Sequence, residues 1–234
     1  VDNKSITADE LKLFVDNSGL KVDGDAQFDG IPINISWNER FNPNKDSTSS
    51  YRAKFKGDEA LLKKLGVDVT FLSKPYIDGY AEIEAVAQPV KDGYSINVTA
   101  NMLHAALDYS FLGFVKPKDQ SGELKATLSV KDKKIASIPS FTMKKPDFEI
   151  TGRADFDNQN RPTFVDINKI NGPKTKAREK IDLSYGKNPH YTINVSGISY
   201  DLSEFFEQRS AKSHNEDKQS NDSDWENTPN IDLN

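Results

Sequence analysis

Trp37, Glu39 and Arg40 stand almost together at the end of the stretch "DGIPINISWNERF", and they are the first side chains of this 234-residue chain that could do chemistry. An acidic and a basic group side by side can act as an acid–base pair or simply as an ion pair at a strand end. Seven alternating positions precede them and the polar run "NPNKDSTSSY" follows, so the pair sits where a strand gives way to a loop. Exposed pairs of this kind are common and contribute about 0–1 kcal/mol. Glu39 and Arg40 therefore read as the polar rim of a strand, with Trp37 continuing its apolar side.

No other constellation is stronger. His104, His190 and His214 fall in a strand, a hairpin turn and a polar tail, with no two at ligand spacing. They support neither a metal site nor a nucleophile–histidine arrangement, and no metal or cofactor is expected. The 36 Asp and Glu residues are spread over turns and polar strand positions. A glycosidase-like carboxylate pair would meet only in space, so an enzyme of that kind stays open as a rival reading. "DFDNQNR" at 155–161 lacks the glycine and the twelfth-position glutamate of an EF-hand loop and reads as a hairpin turn. No glycine-rich phosphate loop follows a strand. The paired lysines of "KKLGVDV" and "MKKPDF" have no aromatic residues between them and read as a solvated face. No residue is assigned as catalytic, and the chain is read as a non-enzyme.

Composition narrows the classes further. A net charge of −5 with both signs interspersed argues against a nucleic-acid partner, which needs a basic stripe. The absence of cysteine removes disulfides, thiolate metal sites and cysteine nucleophiles. An apolar fraction of 35% and a mean hydropathy of −0.69 are polar for a compact globule. No apolar run approaches the roughly 18 residues that span a bilayer. The chain begins at Val1 with no signal-peptide pattern, and is expected to be a piece of a longer protein.

The elements that must position these side chains are mostly strands. At 1–19 a short helix is expected: Thr7 with Glu10 forms a capping box and Gly19 supplies the stop. From 20 to 206 the apolar period is two, the mark of half-buried antiparallel strands. One face collects Val22, then Ile31, Ile33, Ile35 and Trp37, then Phe55 and Ile83. Ile96 and Val98 continue it, followed by Leu128 and Val130, and by Ile150. Val165 and Ile167, Leu183, and finally Ile193 with Val195 complete it. Gly24, Ser137 and Ser140 are small or polar positions assigned to the same face. "PVKDGYS", "VKDKKI", "DNQNRP" and "YGKNPH" are hairpin turns, and "GDEALLKKLGVDV" is a brief helix between strands. "ANMLHAALDYSFLGFVKP" reads as a strand through 105–109 followed by an apolar turn. Residues 207–228 are too polar to fold and are expected to be a disordered loop, and "PNIDLN" at 229–234 begins a further strand. The expected fold is mainly β: one long antiparallel meander sheet. Its apolar face is either packed on itself in a sandwich or held open in a curved groove.

Several stretches, in order, resemble a known family. They are "DGIPINISWNERF", "LGVDV" leading into "LSKPYIDGYAEIEA", "GYSINVTANMLHAAL" and "LGFVKPKDQSGELKATLSV". "FTMKKPDFEITGRADFD", "FVDINKINGPKTKAREKIDL" and "YTINVSGISYDLSEFFE" follow. Together 19–206, about four-fifths of the chain, is similar to the β-groove region of the AsmA-like and TamB-like bacterial envelope superfamily. The likeness is nearest to the domain upstream of the AsmA-like C-terminal region in YhdP-type proteins, and it lies in a pattern rather than an invariant motif. The resemblance implies an open β-taco-like groove in a periplasmic protein held in the inner membrane by an N-terminal anchor outside this chain. It implies phospholipid or another acyl-chain lipid as ligand, carried between inner and outer membranes. It also implies the remaining segments of the full-length protein as partners. The face from Val22 to Val195 would line the groove, with headgroups at a polar rim near Lys54, Lys125 and Lys133. A structural scaffold acting through protein partners is the alternative.

Overall fold

The computed structural model describes residues 5–41, 49–64, 74–110, 113–186, 189–201 and 230–233. At the N-terminus β1 (Ile6–Thr7) and β2 (Lys12–Val15) both pair with β3 (Gly19–Phe28). The chain then runs through β4 (Ile31–Arg40), β5 (Ser50–Gly57), the helix α1 (Glu59–Lys64), β6 (Ile77–Gly79), β7 (Ala81–Val90) and β8 (Gly93–Asn101). Next come β9 (Ala105–Tyr109), β10 (Phe114–Lys116), β11 (Glu123–Lys131) and β12 (Lys134–Lys145). β13 (Phe148–Phe156), β14 (Pro162–Asn171), β15 (Lys176–Ser184), β16 (His190–Ser199) and β17 (Asn230–Leu233) end the order.

Fourteen of these strands make one sheet, in the order β1-β3-β4-β5-β7-β8-β11-β12-β13-β14-β15-β16-β17 with β2 joining at β3. Among the described strands β17 alone runs parallel to its neighbour. The sheet is open and curved rather than closed into a barrel. β6, β9 and β10 leave the meander and form a second, three-stranded sheet in the order β10-β9-β6.

Turn chemistry fixes the meander. Asp29 and Gly30 both take positive φ (48° and 79°), as do Asp132 and Lys133 (49° and 63°). These are the two-residue turns whose twist matches antiparallel strands. Asp58 caps α1, accepting the Leu61 amide at 2.9 Å. The α1 boundaries agree with the start of the helix expected from "GDEALLKKLGVDV"; its latter half lies outside the described residues, as does the polar loop expected at 207–228.

Period-two patterning carries one apolar face across the sheet. Val22 faces Trp37, Trp37 faces Tyr51, Tyr51 faces Ala87 and Ala87 faces Ile96. Nearer the other end of the strands, Ile83 faces Ala100, then Leu124, Met143, Ile150, Ile170 and Ala177 follow across successive strands. The opposite face is charged. Arg52 and Lys54 reach Glu84 at 3.5 and 3.2 Å, Lys144 reaches Glu149 at 2.9 Å, and Arg153 reaches Asp166 at 3.3 Å.

The small sheet covers one end of the apolar face. Phe114, fully buried, meets the Phe148 ring edge-on at 5.2 Å. Leu107 and Tyr109 pack in the same cluster with Ile150, Ile167 and Ile170. This is the main core, and it comes from the stretch that reads in sequence as a strand and an apolar turn. The strand at 105–109 is β9; β10 and the covering role are additional.

Two expectations are corrected. The N-terminal segment is not a helix: β1 and β2 are edge strands whose apolar side chains stay exposed, Phe14 at 67%. A helix of about twelve residues is marginal alone, whereas this segment gains backbone hydrogen bonds to β3. Asp16 then accepts from the amides of Ser18 (2.7 Å) and Gly19 (3.0 Å), so Gly19 opens β3 instead of ending a helix. Ser137 and Ser140 do not lie on the apolar face. Register shifts in β12 pair them with Ser129 and Thr127, which face the charged side.

Candidate functional site

The seventeen side chains expected to line a groove share one face of the large sheet, as their register shows. Their surroundings differ. Ile150 and Ile167 are 1% and 4% exposed because the small sheet lies over them, and Val22 is buried at 7%. Those three are core residues, not open lining. Trp37 is exposed, and Ile31, Ile33, Ile35, Phe55, Ile96, Val98, Leu128, Val130, Leu183, Ile193 and Val195 are half-buried. Ile83 and Val165 are also half-buried and pack against the edge of the core. Lateral neighbours in the sheet provide that partial cover. The result is an apolar face capped at one end, with a row of aromatic residues at the other.

Gly24 is explained by the N-terminal segment: a Cβ there would come within 2.8 Å of the Leu11 side chain and 3.1 Å of the Glu10 carbonyl. The missing side chain makes room for chain to cross the face, rather than deepening a groove. The lysines expected to hold headgroups are placed differently. Lys54 and Lys125 project from the charged face, where Lys54 pairs with Glu84 and Lys125 with Glu123. Lys133 is in the β11–β12 turn.

Two carboxylates do lie on the apolar face. Glu39 accepts from Trp37 Nε1 at 3.0 Å, from the Tyr51 hydroxyl at 3.2 Å and from the Ser49 hydroxyl. These donors, Ser49 foremost, hold its carboxyl below the usual range. Arg40, one residue on, projects from the other face, so the two do not act as a pair. Glu179 faces Ile167 and Val195 and is 3% exposed. Burial pushes its pKa up, against the lowering effect of the Tyr200 hydroxyl that donates to it at 2.5 Å. Glu39 on β4 and Glu179 on β15 are eight strand spacings apart. That is about 38 Å along the sheet at 4.8 Å per strand. They sit on different halves of the face, not side by side like the two carboxyls of a glycosidase.

The cap also holds a buried lysine. Lys116 is fully buried, donates to the carbonyls of Pro117 (3.1 Å) and Gln120 (3.0 Å), and has its pKa lowered by burial. It fastens the loop after β10. His104 Nδ1 stands 3.5 Å from Asp119, and His190 Nε2 stands 3.2 Å from Asp232. His214 lies outside the described residues. Among the described residues no three His, Asp or Glu side chains gather, and no helix is long and apolar enough to cross a membrane.

Sequence reasoning missed Glu179 although its signal was present: Ala177, Glu179 and Ile181 alternate, which places the glutamate inward. It also missed that Tyr51 meets both Trp37 and Tyr94, which depends on strand pairing. Comparison with known proteins finds no family model, curated protein or solved structure that matches this chain.

Proposed function

We propose that the chain is a segment of a periplasmic lipid conduit, holding acyl chains on the apolar face of its open sheet. The observation that carries this reading is the stretch of that face that the second sheet leaves uncovered. Ile, Val, Leu and Phe side chains continue across neighbouring strands, while the second sheet covers only one end. A run of half-buried apolar side chains continuing over neighbouring strands is the kind of surface that marks an interaction site. Acyl chains laid along it would replace water at about 0.8 kcal/mol per buried methylene. Similar residues at successive positions give a smooth path without a deep trap, and the cap gives it one closed end. The ordered likeness to AsmA-like groove domains supports the same reading and adds its setting: an inner-membrane-anchored parent protein passing phospholipid between membranes.

Native mass spectrometry of the purified chain, with lipid extraction from the same sample, tests it. Stoichiometric phospholipid is expected, and Ile33→Asp or Ile96→Asp should remove most of it. Both positions are half-buried and outside the capped core, so each variant should keep the wild-type β-sheet circular dichroism. A folded chain that carries no lipid and takes none up from vesicles would remove the conduit reading and leave a scaffold.

A further inference from the structure

We propose that Trp37, Tyr51 and Tyr94, together with the Glu39 carboxylate, form a receptor for an alkylammonium group, occupied in the loaded protein by the amine of a lipid headgroup. The headgroup part rests on the conduit reading above; the receptor itself rests on its own geometry.

Trp37 and Tyr51 are cross-strand partners on β4 and β5, with ring centroids 6.0 Å apart and planes inclined by 29°. Tyr94, from β8, meets Tyr51 at 6.2 Å and 71°. Tyr51 and Tyr94 are thus two walls of a corner, and Trp37 extends one wall. Trp37 is 37% exposed and Tyr94 43%, so the corner opens to solvent. Ring faces carry the negative end of the aromatic quadrupole, and a cation within about 6 Å of a centroid is attracted to them.

Glu39 supplies the formal charge. Its oxygens are held by the Trp37 indole, the Tyr51 hydroxyl and the Ser49 hydroxyl, so two of the three aromatic walls also orient the carboxylate. No lysine or arginine among the described residues lies within ion-pair distance of it. On the charged face, by contrast, Glu84, Glu149 and Asp166 each have a basic partner. A carboxylate with no lysine or arginine partner among the described residues, held at the polar edges of two of these rings, is complementary to a cation from outside. A hard metal ion is a poor fit, since it needs six or more oxygen ligands and the Glu39 oxygens already accept three hydrogen bonds. A large, weakly hydrated ammonium suits ring faces and needs only one negative charge.

Position links the receptor to the face. Trp37, Tyr51, Ala87 and Ile96 form one row across the sheet, and Ile35, Ala53, Ala85 and Val98 form the next row toward the cap. An acyl chain on Ile35 and Ile33 would leave its headgroup at this corner, at the opposite end of the face from the cap.

The test uses the chain with Trp225→Phe, so that Trp37 alone reports. Choline chloride, against matched sodium chloride, should change Trp37 fluorescence saturably, and Glu39→Gln or Tyr94→Ala should weaken the response about tenfold. Vesicles holding equal amounts of phosphatidylethanolamine and phosphatidylglycerol with identical acyl chains should load the amine-headed lipid about fivefold preferentially. In Glu39→Gln the ratio should fall to one while total lipid per chain is unchanged. Loading without preference, and with no response to choline, overturns the receptor and leaves the conduit intact. A choline response in a chain that loads no lipid overturns the headgroup assignment and counts against the conduit as well.

Discussion

Glu179 is the residue whose charge the fold accommodates least easily. It lies on the apolar face between Ile167 and Val195, with the Tyr200 hydroxyl as a hydrogen-bond donor. Burial raises its pKa, so the native state holds this proton more tightly than the unfolded chain does. Stability from that preference is fully present below the ordinary glutamate range and is lost as pH rises through the raised value. Glutamine keeps an oxygen for Tyr200 and carries no charge. Glu179→Gln should therefore match wild type near pH 4 and exceed it at pH 8, by on the order of 1 kcal/mol. Urea unfolding of both proteins across that range checks this. Carboxyls held low elsewhere, such as Glu149 beside Lys169 and Lys144, affect both proteins alike and cancel in the difference. A difference that does not vary with pH would mean that Glu179 binds its proton equally well in the folded and unfolded chain.

At the scale of elements, Phe114 joins the two sheets. It is fully buried, stacks edge-on against Phe148 and touches the face through Ile150 and its neighbours. Phe114→Ala should lower unfolding stability by about 3–5 kcal/mol, read from the denaturant midpoint. A loss under about 1 kcal/mol would show that the cap is not packed on the face. The strands were largely legible in the sequence because a period of two and Asp-Gly or Lys-Asp turns leave few alternatives, as in β3–β4 and β7–β8. The bulges were not. Ile167 and Ile170 both point inward across a register shift in β14, where strict alternation would turn one of them outward. Ser137 and Ser140 were misplaced for the same reason. The N-terminal error had a different origin: local capping signals favoured a helix, and pairing with β3, a tertiary interaction, outweighed them. Of the candidate site, what the alternation made legible was that the seventeen apolar side chains share one face of the sheet. Its division into capped and open parts depended on three short strands that carry too little pattern to announce a second sheet.

The whole molecule has unequal halves, and that asymmetry is itself testable. β8 and β11 to β14 share the capped core with Ala100, Phe148, Ile150 and Ile170. β4 and β5 carry Ile31, Ile33, Ile35 and Phe55, all half-buried, beside the buried Val22 and Ala26 of β3, which ends at the exposed β1–β2 edge. Local opening is easiest where few apolar contacts are buried and amides lie near an edge. Hydrogen exchange of the lipid-free chain should therefore be slowest in β13 and β14, faster in β4 and β5, and fastest in β1 and β2. Acyl chains laid on the open half would supply the missing cover, because ligand binding stabilises the native state by the logarithm of one plus ligand concentration over its dissociation constant. Loading with phospholipid should slow exchange in β4, β5 and β7 by about tenfold or more at tenfold excess over that constant, with little change in β13. Uniform protection before loading would mean that the β3–β5 half is already covered, and the apolar face would then be structural core from end to end.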